Sequence, residues 1–184
     1  MRLIVAITGS SGAMLAIKAL EVLKNFKDIE THLIVSETAS KIIALETSYS
    51  VEDVKKMANV CYNIDEMDSA IASGSYVTGG MLVIPCSGKT LSGIANGFST
   101  NLILRVAEVT LKEGRKMVLV VRESPLSAIH LENMLKMARL GVVIMPPVPG
   151  FYTSPKNLDD IICYTVGRAF DQFGIENNLY KRWK

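Results

Sequence analysis

Apolar residues in this chain come in short unbroken runs separated by longer stretches of helical spacing. Residues 3–8, 32–36, 81–85, 117–121 and 142–145 are such runs, each of strand length and each lacking the in–out alternation of a half-exposed sheet. Between them, residues 13–25, 39–45, 51–58, 102–112, 130–139 and 158–173 repeat their apolar positions with the spacing of a helix, and the small-residue stretch after Pro85 turns into one more. Alternation of buried strand and helix predicts an α/β fold built on a doubly wound parallel sheet. Right-handed crossovers would carry the C-terminal ends of all strands to one edge, so residues 9–13, Ser36, 86–90, Arg122, Glu123 and 146–152 are expected to meet there. The glycine-rich stretch 73–80 reads as a loop before the third run.

The 184 residues fit one domain spanning 1–184, and 49% hydrophobic against 21% charged content is that of a globular chain. Aromatic residues are few, which leaves the core to Ile, Val, Leu, Met and Ala. A net charge of +2 gives no ground for nucleic-acid binding, and Lys181, Arg182 and Lys184 read as a solvated basic end. Cys61, Cys86 and Cys163 form no CxxC pair, so neither a disulfide framework nor a zinc site follows, and reduced thiols in a cytoplasmic protein are expected. Residues 1–8 are too short for a signal peptide and precede no cleavage pattern. No apolar run approaches the ~18 residues of a membrane span, so no membrane association is expected.

Two turns carry the candidate chemistry. Thr8-Gly-Ser-Ser-Gly-Ala13 leaves the first run and opens a helix, where glycine allows a tight turn and close approach of a ligand. It is neither GxGxxG nor the lysine-bearing phosphate loop, so it specifies no dinucleotide or ATP. Ser87, Gly88, Lys89 and Thr90 form a second turn of the same character after residues 81–85. Two anion-friendly loops on one sheet edge suit a mononucleotide such as FMN. Lys89 either neutralises its phosphate or faces solvent. Lys112, Arg122 and Glu123 near the ends of later elements would set one carboxylate among cations. Other features read as structural: Cys86 as a packed thiol, Ser50 with Asp53 as a helix cap, and Asp159 and Asp160 as acidic residues at a helix start. His32 and His130 likewise read as structural. Pro146, Pro147, Pro149 and Gly150 stiffen the loop that aims Tyr152.

Several segments together resemble the flavin prenyltransferases of the UbiX type, across almost the whole chain. They are Gly-Ser-Ser-Gly-Ala (9–13), Pro-Cys-Ser-x-x-Thr-Leu-Ser-x-Ile-Ala-x-Gly (85–97), Asn101-Leu-Ile-Leu-Arg105 and Leu-Lys-Glu (111–113). Val-Arg-Glu-Ser-Pro-Leu (121–126), His130-Leu-Glu-Asn-Met134, Pro-Gly-Phe-Tyr (149–152) and Val166-Gly-Arg168 complete the set. The resemblance implies a Rossmann-like flavoprotein, a homo-oligomer of dodecameric type. Its implied reaction joins a dimethylallyl group from dimethylallyl phosphate to N5 and C6 of reduced FMN. Prenylated FMN, the product, would serve a UbiD-type decarboxylase, and a flavin reductase would supply reduced FMN.

By motif, FMN would be held by Gly9, Ser10, Ser11, Ser36, Ser87, Gly88, Lys89, Thr90 and Arg122, and the prenyl phosphate by Lys112, Arg122, Glu123, Tyr152 and Arg168. Glu123, Ser11 and Glu46 would be catalytic, and Trp183 would help wall the pocket. Ala16, where many members carry glycine, and the Gly88-Lys89 pair depart from the pattern without removing a catalytic group. Aspartate-rich magnesium motifs are lacking, so the resemblance implies metal-independent transfer. Related flavin-dependent cysteine decarboxylases are a rival reading, but their catalytic histidine has no evident counterpart. A non-catalytic FMN carrier is the other alternative.

Overall fold

Leu3, Val5 and Ile7 point to one face of a sheet while Ile4 and Ala6 point to the other, and all five are buried. That is why their run is continuously apolar. In the computed structural model, which describes residues 1–184, this strand is β1 (Arg2–Ile7). It lies inside a six-stranded sheet with β2 (Glu30–Val35), β3 (Val60–Tyr62), β4 (Gly80–Cys86), β5 (Met117–Val121) and β6 (Val143–Ile144). The order is β3-β2-β1-β4-β5-β6 and every neighbouring pair is parallel. Helices α1 (Ala13–Leu23), α2 (Glu37–Glu46), α3 (Val51–Lys55) and α7 (Leu158–Asp171) cover one face. The other carries α4 (Gly88–Ala95), α5 (Leu102–Lys112) and α6 (Ala128–Arg139). The doubly wound parallel sheet expected from the alternation is therefore present. No helix is long and apolar enough to cross a membrane.

The chain builds outward from β1 to β3, then returns to the middle and builds the other way from β4 to β6. Loops leaving β1 and β4 part toward opposite faces, and a crevice opens between them at the C-terminal edge.

Several details differ from the pattern. β3 has no counterpart among the apolar runs, because it is three residues long, half exposed and on the sheet's edge, where only β2 pairs with it. β6 shrinks to two residues; Pro146 and Pro147 follow closely and supply no N–H for a ladder. α3 stops at Lys55, and α6 starts at Ala128, where the Ser127 hydroxyl caps it by accepting from the His130 N–H. The loop at 73–80 follows a short 3₁₀ turn (Ala70–Ala72) and is held by Arg115, which donates to the carbonyls of Gly74 and Tyr76. Ser50 and Asp53 do form a reciprocal cap on α3. Cys86 is fully buried, and burial pushes its thiol up to about 12, which leaves it inert as a nucleophile at neutral pH.

His32 is structural, as expected. Its ring is buried, stacks on Tyr62 with centroids 5.8 Å apart, meets Tyr76 edge-on at 5.7 Å, and shares a 2.9 Å hydrogen bond between Nδ1 and the Tyr62 hydroxyl. Burial pulls the imidazole below its ordinary 6.5, against the opposing pull of Glu30. The unfolded chain then binds a proton before the folded one does, so stability is full above pH ~6.5 and falls as pH drops toward the lower folded value. Urea midpoints are expected to decline between pH ~7 and ~5 in the wild type and to decline less in His32→Phe. Equal declines in both proteins would remove His32 as the cause.

Candidate active site

The crevice between β1 and β4 contains a cavity of about 390 Å³. Gly9 follows β1 and Ser87 to Thr90 follow β4; both segments line it, with Ser36 and Thr38 at the start of α2 and Asn101, Ile103 and Leu104 at the start of α5. Three helices thus begin at the cavity. Each start is organised by its own side-chain cap: Ser36 Oγ accepts from the Ala39 N–H (3.1 Å), Ser87 Oγ from the Thr90 N–H (3.3 Å) and Asn101 Oδ1 from the Leu104 N–H (3.0 Å). Each cap satisfies one orphan N–H and leaves the positive end of the helix facing the cavity. Ser87 also donates to the Thr90 hydroxyl at 3.1 Å, which fixes both hydroxyls in the turn.

Thr8 holds the two sides of the crevice together. Its hydroxyl donates to the Pro85 carbonyl and accepts from the Ser87 N–H, both at 2.8 Å. A second clamp runs between the loops after β1 and β5: Ser10 Oγ donates to the Arg122 carbonyl at 2.8 Å and Arg122 Nε to the Ser11 carbonyl at 3.1 Å. α1 has glycine at its cap, Gly12 with φ 105°, and so no side-chain cap of its own. Glu46 supplies the missing acceptor from the end of α2, taking the N–H groups of Gly12 (2.8 Å) and Ala13 (3.1 Å). Burial works to raise the Glu46 carboxyl, but hydrogen bonds from Ser11, Gly12 and Ala13 and the nearby Arg122 outweigh it and hold the group below its ordinary value.

Two glycines are dictated by close approach. A Cβ on Gly9 would lie 2.4 Å from Thr38 Cγ2, and one on Gly88 would lie 3.0 Å from His130 Nε2. A bare cradle rimmed by helix N-termini is what a flavin mononucleotide phosphate needs, so these residues fit FMN. Glu123 is the carboxylate at the rim. It is exposed, and one oxygen accepts from the Ser124 N–H at 3.1 Å.

Of the sequence-predicted residues, the structure gathers Gly9, Ser36, Ser87, Gly88, Lys89, Thr90 and Glu123 around the cavity. Ser10, Ser11, Arg122 and Glu46 join the adjoining clamps. Tyr152, Arg168 and Lys112 lie apart. Tyr152 belongs to an aromatic cluster with Tyr164 and Trp183, and Arg168 lines a separate groove along β6. Lys112 ends α5, about 15 Å along the helix from the residues that touch the cavity. It pairs with Glu113 at 2.6 Å, beside Gly74 in the loop that enters β4.

Thr38, Asn101, Ile103, Leu104 and His130 line the cavity without having been singled out for it. His130 is structural as expected, half of the reciprocal cap on α6, and it also lines the cavity. Its Nδ1 accepts from the Ser127 N–H, which places the ring proton on Nε2, the nitrogen beside Gly88. The spacing Ser127-x-x-His130 is that of a helix cap, and neither it nor the segment His130–Met134 says that the ring reaches a cavity.

Comparisons with known proteins place the chain in a family. Residues 1–169 match the family model described as Flavoprotein. The flavin prenyltransferase UbiX of Methanocaldococcus jannaschii is 50% identical over 183 residues, covering 100% of this chain and 98% of that one. Among solved structures, a dodecameric FMN-dependent UbiX-like decarboxylase from Escherichia coli O157:H7 superposes with TM-score 0.99 at 49% identity, covering both chains fully. AnUbiX in complex with FMN and dimethylallyl pyrophosphate gives TM-score 0.97 at 46% identity, covering 100% of this chain and 97% of that one.

Gly9→Ala is expected to push Thr38 off the cavity wall and to weaken FMN binding by at least about tenfold, the scale of one lost charge-assisted contact. Titration of the apo-protein by flavin fluorescence measures it. Wild-type affinity in Gly9→Ala would place the flavin elsewhere.

Proposed function

Since the chain belongs to the Flavoprotein family and within it to the flavin prenyltransferases of the UbiX type, we propose that it transfers a dimethylallyl group from dimethylallyl phosphate to reduced FMN. The observation that carries the reading is the cavity at the β1/β4 crevice, where three helix N-termini meet a single rim carboxylate, Glu123. Ser36, Ser87 and Thr90, with the backbone of Gly9 and Gly88, would hold the FMN phosphate. Reduced FMN, when bound, supplies the nucleophilic ring positions N5 and C6. The prenyl C–O bond breaks and its electron pair leaves with phosphate. In the balance, N5 and C6 each lose a proton, the alkene gains one and phosphate takes the other.

Departing phosphate develops negative charge, so fixed cations and a proton donor lower the barrier. Arg122 has only Nε engaged, which leaves its terminal N–H groups for that anion. Glu123 is assigned the proton transfer, and Glu46 with Ser11 holds the loop that carries Arg122's partner carbonyl. Lys112, Tyr152 and Arg168 are assigned to the prenyl phosphate. None of the three lines the cavity of its own chain, so in this reading neighbouring copies deliver them and the working form is a homo-oligomer, for which the dodecameric E. coli protein is the precedent. An apolar outer face supports this: Ile129, Leu131 and Leu135 on α6 are at least half exposed. A cytoplasmic setting, a reductase that supplies reduced FMN and a UbiD-type decarboxylase that accepts the product complete the proposal.

Anaerobic incubation with reduced FMN and dimethylallyl phosphate, followed by mass spectrometry, is expected to show flavin heavier by one five-carbon unit. Unmodified flavin with either the monophosphate or the diphosphate would refute the transfer and reopen decarboxylation or simple carriage. Glu123→Gln is expected to bind FMN within a few-fold of wild type and to prenylate it about 10² to 10⁴ more slowly. A near-normal rate would return Glu123 to a structural role. Lys112→Ala is expected to weaken use of the prenyl phosphate by roughly ten- to a hundred-fold while FMN stays bound; unchanged kinetics would show that it serves no pocket.

A further inference from the structure

Beyond α7 the chain doubles back along that helix and packs on bare backbone at Gly167. A Cβ there would lie 2.6 Å from the Tyr180 ring and 2.7 Å from Asn177 Oδ1. Asp171, at the end of α7, fastens the returning segment. Its oxygens accept from the Tyr180 hydroxyl (2.5 Å), Arg182 Nη2 (2.8 Å), Arg182 Nη1 (3.1 Å) and Asn177 Nδ2 (3.1 Å), and Arg168 Nη1 stands 3.5 Å away. The segment then sends Trp183 edge-on against Tyr152 at 5.1 Å. Tyr152 meets Tyr164 at 6.1 Å and Tyr164 meets Tyr180 at 5.1 Å, so four aromatic rings link back to the same strap.

Asp171 is the only carboxylate in this group, and its side chain is just 16% exposed. The Arg182 side chain is half exposed, so that pair alone contributes little, but a mostly covered acceptor shared by several donors ties the segment at several points at once, and its removal frees all of them together. Burial works to raise its carboxyl, while the hydrogen bonds from Arg182 and Tyr180 outweigh that and hold it below its ordinary value. It is therefore charged at neutral pH, and the latch weakens only as acid protonates it, below pH ~4.

We propose that Asp171 is a positioning residue: by pinning residues 177–183 to α7 it orients Tyr152, through Trp183, and Arg168, through Tyr180 and its own carboxylate, for the substrate's phosphate. The proposal rests on the assignment of those two residues to the prenyl phosphate. It makes the strap, which touches no part of the flavin cavity, a determinant of substrate affinity rather than of cofactor binding.

Trp183 is the one tryptophan in the chain, so its fluorescence reports the strap directly. Trp183 is already about 75% exposed, so its mobility rather than its accessibility reports the contact: in the FMN-loaded protein, Asp171→Asn is expected to lower the fluorescence anisotropy of Trp183. It should also raise KM for dimethylallyl phosphate about tenfold, the scale of one charge-assisted hydrogen bond, with little change in kcat or FMN affinity. Arg182→Ala, an exposed substitution that spares the fold, should shift both readouts the same way, and the double variant should go no further than the worse single one. Unchanged anisotropy in both variants overturns the pinning. Freed tryptophan with unchanged KM overturns the positioning, as does a matching loss of FMN affinity. A wild-type protein that makes no prenylated flavin would instead sink the functional reading, while the anisotropy comparison still decides whether Asp171 holds the strap.

Discussion

The sheet changes its direction of growth between β1 and β4, and that reversal sets where everything else can go. Parallel strands with right-handed crossovers force the helices that follow β1 and β4 onto opposite faces. The loops must then separate, and the gap cannot be filled by either helix. Thr8 ties the gap's two walls at a fixed width through hydrogen bonds to Pro85 and Ser87. Helix starts at Ser36, Ser87 and Asn101 surround it. An anion at that point meets unpaired N–H groups and three positive helix ends without any lysine buried for the purpose.

This explains an otherwise odd division of labour among the small residues. Gly9 is needed because the Thr38 side chain already occupies the volume a Cβ would take, and at Gly88 a Cβ would press on the His130 ring at 3.0 Å. Gly12 serves a different need: its positive φ turns the chain into α1, and the cap it cannot provide comes from Glu46, distant in sequence. The carboxylate that the family resemblance marks as catalytic is thus also what organises the first loop.

The strands of the core and the glycine-bearing turns after β1 and β4 were legible because local pattern dictates them: two-faced burial makes a run apolar, and close approach or a positive φ favours glycine. The turn after β1 does not offer the free helix start expected of it, because Glu46 already takes the N–H groups of Gly12 and Ala13. β3 was not legible, since three half-exposed edge residues leave no hydrophobic signature. Nor was the cavity-lining role of His130, whose ring reaches Gly88 only because α6 packs beside α4. The separation of Lys112 from the cavity escaped as well. Motif order along the chain says nothing about which end of α5 a residue occupies relative to the pocket.

The account's central claim is that the flavin lies in the β1/β4 crevice, with its phosphate over the turn from Ser87 to Thr90. A crystal structure of the FMN-loaded oligomer measures this directly. The account predicts phosphate density within hydrogen-bonding distance of that turn, the flavin close against Gly9 and Gly88, and side chains from a neighbouring subunit completing the open side. Flavin density in the groove beside β6, or a crevice left empty at saturating FMN, would contradict it.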